Sequence, residues 1–264
     1  MLVASRLPPQ LILRQLAHTT KSRSLTSSHA SLKKSRSLFH FPNIVMTTMS
    51  NIPVASSSPP LKYLLVLDFE ATCGDAVSHN EIIEFPTLVY NIKEDKVDAT
   101  FHEYVRPVDH PTLTPFCTEL TGITQEVVDK ADTFPHVWKR FQDFMKSSGL
   151  LDDPDSQVFL TCGKWDLATM LPKQLLLIQD EHGLDVAGKL VAPYRKYINI
   201  KEEFRKHYKL SHQLGMAGML KRLKLDLEGR HHSGIDDCRN ILRIVQTMLK
   251  DGWKPQIWKP PIVQ

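Results

Sequence analysis

The stretch from Tyr63 to Gly74, YLLVLDFEATCG, alternates apolar and polar positions in the way a β-strand requires. Because successive side chains of a strand point to opposite faces, Leu67 and Phe69 share one face while Asp68 and Glu70 share the other. Two carboxylates roughly 7 Å apart on a half-buried strand repel each other and resist loss of water. The pattern therefore favours a cation at the end of this strand, and a divalent metal is the simplest candidate.

The rest of the hydrophobic pattern predicts strands first and alternating helices and strands later. The first three runs have short connections and should be antiparallel neighbours: Lys62–Ala71, Ile82–Asn91 and Val97–Arg106. The later elements are a helix Phe134–Lys146, a strand QVFLTCG, a helix from about Asp166, a short strand YINI, and helices Gln213–Leu223 and Gly234–Lys250. This order predicts an α/β fold with a mixed sheet and helices on its faces.

Composition divides the chain near residue 60. Residues 1–60 hold seven of the 33 Lys and Arg residues, none of the 29 acids, and many Ser and Thr. That is typical of a mitochondrial transit peptide followed by a linker, and a disordered tail without a specific address is the alternative. Met46 and Met49 offer internal starts that would remove most of this basic extension. The predicted organisation is thus a disordered basic extension at 1–60, one domain at 61–258 and a tail at 259–264.

Beyond residue 60 the chain carries 26 basic and 29 acidic residues, so overall charge does not make it a nucleic-acid binder. Any such binding must use local patches and metal ions. The four cysteines contain no C-x-x-C pair, which fits reduced thiols in an intracellular compartment. No apolar run approaches the roughly 18 residues that span a bilayer, so no membrane partner is expected.

Further acids stand where the predicted elements begin. Asp166 follows the strand QVFLTCG and opens a helix, and Asp236 and Asp237 fall in the first turn of the last helix. Acids are favoured at helix starts by capping and by the helix dipole, so each has an ordinary structural explanation. Only convergence of these acids on Asp68 and Glu70 would give them a chemical role.

Taken together, the motifs resemble a known family. A D-x-E strand, an Asp about a hundred residues later and a final H-x-x-x-x-D are similar to the DEDDh exonucleases of the ribonuclease H-like superfamily. Five stretches in order resemble the Eri-type 3′-to-5′ exoribonucleases, which trim small RNAs, histone messenger RNA ends and ribosomal RNA: DFEATC, EIIEFP, FCTELTGIT, DTFP and HSGIDDCRNI. The resemblance covers roughly Lys62 to Gly252. It implies three antiparallel strands followed by parallel strands, with helices on both faces of the sheet.

The resemblance also implies a reaction and its residues. The expected activity is metal-dependent release of nucleoside 5′-monophosphates from RNA 3′ ends, with two Mg²⁺ ions for which Mn²⁺ can substitute. Asp68 would bridge both ions, Glu70 and Asp237 would complete the site of the ion on the nucleophile side, and Asp166 would hold the second. His232 would be the general base. Neighbouring acids favour its protonated form and cations oppose it, so the balance stays open.

The stretch HHSGIDD allows two registers, because His231 precedes Asp236 and His232 precedes Asp237 by the same five positions. The family pattern selects the second histidine and the second aspartate. His231 is then a surface neighbour and Asp236 an acid of the helix start, with Asp236 as the alternative ligand.

Substrate contacts are expected from exposed aromatic and basic side chains. Trp165 and Phe116 would stack on bases of the 3′ end, with core packing as the alternative for each. The stretches RKYINIKEEFRKHYK and Lys221–Lys224 would contact phosphates, unless they are only solvated helix faces.

The expected partner is RNA with a free 3′ end, while partner proteins are not predicted. A DNA exonuclease of proofreading type and a non-catalytic RNA-binding module are the alternatives. Family members that act on stem-loop RNA carry an additional small nucleic-acid-binding domain before the nuclease. Residues 1–60 are too short and too polar to form one. The expected location is mitochondrial with the basic extension intact, and otherwise cytoplasmic or nuclear.

Overall fold

The computed structural model describes residues 61–179 and 183–255, so the predictions for residues 1–60 and 259–264 lie outside it. The strands are β1 Tyr63–Leu67, β2 Glu70–Ala71, β3 Ile82–Asn91, β4 Lys96–Tyr104, β5 Gln157–Thr161 and β6 Tyr197–Asn199. The helices are α1 Pro115–Thr121, α2 Gln125–Asp129, α3 Phe134–Ser147, α4 Leu171–Leu177, α5 Ile200–His207, α6 Met216–Leu223 and α7 Gly234–Lys250. One turn of π-helix, Asp166–Met170, leads directly into α4.

The sheet is mixed, as predicted. Strand β3 pairs antiparallel with β1, β2 and β4, whereas β5 runs parallel to both β1 and β6. Leu67 lies opposite Thr87 in the antiparallel pairing, and Leu64 lies opposite Val158 in the parallel one. The prediction of three antiparallel strands followed by parallel strands is confirmed.

Each face of the sheet is covered by helices. Leu65, Leu67 and Phe69 pack into a core that α3 and α4 complete, including Phe141 and Leu171. On the other face, Leu64 and Val66 pack against residues of α5, α6 and α7. Because each fully buried side chain of this kind stabilises the fold by about 1.5–3 kcal/mol, the two cores fix the sheet firmly between its helix layers.

The predicted strand Lys62–Ala71 is interrupted. Strand β1 ends at Leu67, and the amide of Phe69 donates a 3.0 Å hydrogen bond to Oδ1 of Asp166. The pairing of β2 with β3 also shifts register between Glu70 and Ala71. Such irregularities re-aim side chains and are frequent beside active sites. The prediction of one continuous strand was therefore wrong at Asp68, where the chain leaves the ladder.

Three short helices were not predicted, namely α1, α2 and α5. Thr114 caps α1 by accepting the amide of Cys117 at 3.0 Å, Pro115 follows it, and Gly122 ends the helix with a φ of 77°. Proline at the start and glycine just past the end are ordinary helix signals. The prolines before α1 masked them, because they indicated a loop. In the part of the chain that the structure describes, no helix combines the length and apolarity needed to cross a bilayer.

Candidate active site

Four predicted acids meet at one end of the sheet. Asp68 directly follows β1, Glu70 lies in β2, Asp166 follows β5 and Asp237 lies in the first turn of α7. Carboxylate oxygens of Asp68, Glu70 and Asp237 lie within 4.8 Å of one another. Asp166 reaches the same corner through its bond to the amide of Phe69, the residue between Asp68 and Glu70. Because Phe69 lies outside the helix that Asp166 begins, this hydrogen bond is not a helix cap.

The four acids at this end of the sheet repel one another. Burial raises the pKa of Asp68 well above its usual value, and the charges of Asp166, Asp237 and Glu70 raise it further. Burial raises the pKa of Glu70 to about 9, with Glu84 the next largest cause. Since a buried carboxylate surrounded by like charges is costly, bound cations would relieve the repulsion.

Asp166 and Asp237 carry smaller perturbations. Burial raises the pKa of each to about 6, and backbone hydrogen bonds to each carboxylate oppose the rise. Oδ2 of Asp237 accepts the amide of His232 at 3.0 Å, whereas its buried Oδ1 has no hydrogen-bond partner among the described residues. A buried polar atom without a partner is rare, and a metal ion would supply one. The all-oxygen donor set suits a hard divalent cation such as Mg²⁺.

His232 lies in a loop of residues 226–233, called here the histidine loop. Its φ of 65° is in the left-handed region, which non-glycine residues seldom adopt. Burial lowers the pKa of its imidazole, and His231 and Arg230 lower it further. The balance that the sequence left open thus falls towards neutral imidazole, the form that accepts a proton.

The two aspartates of HHSGIDD face different partners. Asp237 lies among the acids, while Asp236 accepts the amide of Arg230 at 3.0 Å and pairs with Arg239 at 2.8 Å. A Cβ on Gly229 would come within 2.4 Å of the Asp236 carboxylate, so the loop passes that side chain closely. Asp236 therefore orders the histidine loop, and the placement favours Asp237 as the ligand.

A fifth acid, Glu84, was not predicted. Its side chain in β3 is 1% exposed. Its Oε2 accepts the amide of Gly234 at 2.9 Å, and its Oε1 accepts the amide of Ile235 at 3.1 Å and bonds His102 at 2.8 Å. Gly234 is needed there, because a Cβ would lie 2.6 Å from the carbonyl oxygen of Asp68. The available signal was the single Glu inside the apolar run IIEFP, since Glu is seldom fully buried without partners.

The two aromatic residues that were predicted to contact the substrate lie at the surface. Trp165 is 41% exposed beside Asp166, and Phe116 is 56% exposed in the first turn of α1. Core packing explains neither. The histidine loop is tied to the same helix, because the Arg230 guanidinium donates to the carbonyl of Glu119.

Lys201, in the predicted basic stretch, also lies close to the acids. Its Nζ is 3.6 Å from the position that a Cβ of Gly163 would take, and its charge lowers the pKa of Asp166. Lys201 lies in the first turn of α5, and because α5 was not predicted, the sequence pattern alone did not place Lys201 near the acids.

Comparison with known proteins gives consistent matches. The RNase_T family, described as exonuclease, matches residues 65–245. Human ERI1 exoribonuclease 3 is 44% identical over 200 residues, which is 75% of this chain and 57% of that protein. This chain thus spans little more than half the length of that relative.

Two solved structures are similar as well. One is the nuclease domain of 3′hExo, a DEDDh family member, bound to rAMP: its TM-score is 0.66 at 36% identity, covering 77% of this chain and 99% of that one. The other is a 3′-exonuclease in 3′-end specific recognition of a histone mRNA stem-loop. Its TM-score is 0.66 at 38% identity, covering 75% of this chain and 86% of that one.

Proposed function

Because this chain belongs to the RNase_T family of exonucleases, and within it to the Eri-type 3′-to-5′ exoribonucleases, we propose that it shortens RNA from the 3′ end. The proposed reaction is hydrolysis that releases nucleoside 5′-monophosphates and depends on two Mg²⁺ ions. A related nuclease domain holds rAMP, a ribonucleoside monophosphate, which supports this product class.

One observation carries the proposal: carboxylate oxygens of Asp68, Glu70 and Asp237, which come from separate segments, lie within 4.8 Å of one another, and buried Oδ1 of Asp237 has no hydrogen-bond partner in the described part of the chain. These carboxylates are buried close together although burial and mutual repulsion raise the pKa of Asp68 and Glu70. An arrangement that destabilises the metal-free protein is expected where function requires it.

Asp68, Glu70, Asp166 and Asp237 would hold the ions. When bound, divalent cations would supply an activated water and would neutralise charge on the phosphate and on the leaving 3′-oxygen. Neutral His232 would accept the proton of the attacking water. The fixed loop around His232 would keep its imidazole at the edge of the acid cluster, which limits the cost of orientation.

Recognition of the 3′ end would rest on side chains around the acids. Phe116 and Trp165 present exposed ring faces on which any base can stack without sequence preference. Lys201 would attract phosphate near Asp166. Alanine at Phe116 or Trp165 is expected to raise KM by about 5- to 150-fold, which corresponds to about 1–3 kcal/mol per stacked base.

The test uses the full chain with end-labelled single-stranded RNA and matched DNA, in Mg²⁺ or in EDTA, beside Asp68→Ala. Stepwise shortening from a free 3′-hydroxyl, seen only with metal and wild-type protein and faster on RNA, is the expected result. Faster shortening of DNA would identify a proofreading-type exonuclease instead. Binding without shortening would make the protein a recognition module.

We also propose that residues 1–60 direct the protein to mitochondria. Their basic, acid-free composition supports this. A fluorescent protein fused behind residues 1–60 should accumulate in mitochondria, and a diffuse cytosolic signal would contradict the proposal.

A further inference from the structure

A second group of possible metal ligands adjoins the acids. Ring nitrogens of His231 and His232 and a carboxylate oxygen of Asp237 lie within 4.8 Å of one another. This set shares Asp237 with the acid cluster but differs from it in chemistry, because two of its three donors are imidazoles. The family pattern gives His231 no role.

We propose that His231, His232 and Asp237 form a binding site for Zn²⁺ that inhibits the enzyme. Zinc binds imidazole nitrogen and carboxylate oxygen, and three protein ligands with one open position are a common zinc arrangement. Mg²⁺ prefers oxygen donors and octahedral geometry, so it would not compete well for the two imidazoles. The site would thus discriminate between the two metals by donor type.

The local structure favours this use. Oδ2 of Asp237 accepts the amide of His232, whereas buried Oδ1 has no hydrogen-bond partner within residues 61–179 and 183–255 and can bind an ion. The two imidazole rings stack with centroids 4.0 Å apart and planes 20° from parallel. His231 is exposed, so its ring can rotate about the side-chain bonds until its nitrogen lies about 2 Å from an ion shared with His232.

Binding would remove two groups from the proposed reaction, and this consequence rests on the proposed function. A zinc-ligated His232 has no free lone pair with which to accept a proton. A zinc-ligated Asp237 is withdrawn from the Mg²⁺ site. Zinc should therefore inhibit hydrolysis without any change in the fold.

Direct binding tests the site without reference to activity. Zn²⁺ alone is titrated by calorimetry into the full chain carrying Asp68→Ala, which disrupts the acid cluster and leaves the three ligands in place. Adding His231→Ala should weaken zinc binding at least about tenfold, because even loss of a residue that only supports a ligand costs about ten- to a hundredfold. His212→Ala, at an exposed histidine bonded only to Ser211 in the described structure, is the matched control. Equal affinity with and without His231→Ala would overturn the proposal.

Inhibition is the second measurement. In Mg²⁺ with an RNA substrate, with each protein's rate compared with its own zinc-free rate, His231→Ala should need at least about tenfold more Zn²⁺ for half-inhibition. Unchanged sensitivity would place zinc at the acid cluster instead. If the wild type lacks nuclease activity, the proposed function fails while the calorimetric titration still decides the zinc site.

Discussion

Oε2 of Glu84 accepts a 2.9 Å hydrogen bond from the amide of Gly234, so a carboxylate of β3 closes the N-terminus of α7. The first amides of a helix have no partner within the helix, and its positive end attracts an acid. Asp237 lies one turn further along α7, and His232 lies two residues before it. Glu84 thus sets the position of both groups relative to Asp68.

Substitution of Glu84 by alanine should destabilise the protein. The change leaves two buried amides without partners, at about 1–3 kcal/mol each, so we expect the free energy of unfolding to fall by about 2–6 kcal/mol. Urea denaturation followed by circular dichroism measures this. Glu103→Ala is the control, since Glu103 forms a partly exposed ion pair with Arg140, and such pairs contribute about 1 kcal/mol or less. A loss no larger than the control's would contradict the assigned role.

The stability of the metal-free protein should fall as pH rises. The pKa of Glu70 is raised to about 9 in the folded protein, so the folded state binds its proton more tightly than the unfolded state does. This contribution favours folding at low pH and is lost between about pH 4.3, the pKa of an unfolded Glu, and about pH 9. The pKa of Asp68 is also raised in the folded protein, so Asp68 contributes to stability with the same dependence on pH.

Mg²⁺ should reverse this trend, because a bound cation stabilises the ionised carboxylates. Thermal unfolding in EDTA and in Mg²⁺ should show a larger metal-induced rise in Tm at about pH 8.5 than at about pH 6. Asp68→Asn, which removes one of the clustered charges, should raise Tm in EDTA and remove most of the Mg²⁺ effect. A Tm in EDTA that rises with pH over this range would show that the acids are not clustered in solution.

His232→Ala should lower kcat by about 10²–10⁴-fold, the usual contribution of a general base, and leave metal and RNA binding near wild type. Single-turnover rates at saturating RNA and Mg²⁺ measure the first effect, and equilibrium titrations measure the second. Metal binding should persist because the Asp237 carboxylate is held by the backbone amide of residue 232, which alanine retains. An equal loss of metal affinity would show that His232 is structural.

The sequence predicted the long, strongly patterned elements well. The bounds of β3 and α7 agree with the predicted Ile82–Asn91 and Gly234–Lys250. All ten residues of β3 are buried, and eight of the ten buried residues of α7 are apolar or small, so local pattern and burial agree there. The helices α1 and α5 have only seven and eight residues, which is too short for periodicity to reveal them.

The structure brings together the acids that the motifs named, whereas no motif named the residues that hold these acids in place. Glu84 acts on α7 across 150 residues, and Phe69 reaches Asp166 across 97. No local pattern reports a hydrogen bond between distant segments. The left-handed backbone at His232 could not be predicted either, because that position holds no glycine, the residue that usually marks such a conformation.

Arg230 joins the histidine loop to α1, the helix that carries Phe116. Its guanidinium donates to the carbonyl of Glu119, and a Cβ on Gly122 would lie 2.8 Å from its Nε. Through this contact, Arg230 supports both Phe116, the predicted stacking residue, and His232, the predicted general base. Arg230 is therefore a positioning residue.

Arg230→Ala should lower kcat by about ten- to a hundredfold with a smaller change in KM, because a shift of about 1 Å in a reacting group can cost about a hundredfold. Gly122→Ala should act on the same contact, since its Cβ would displace the guanidinium and its φ of 77° disfavours alanine. The double variant should then be little worse than either single one. Arg195→Ala, at an exposed arginine of another loop, controls for lost charge. Multiplicative losses in the double variant would mean that the two residues act separately, and the link between α1 and the histidine loop would have no part in turnover.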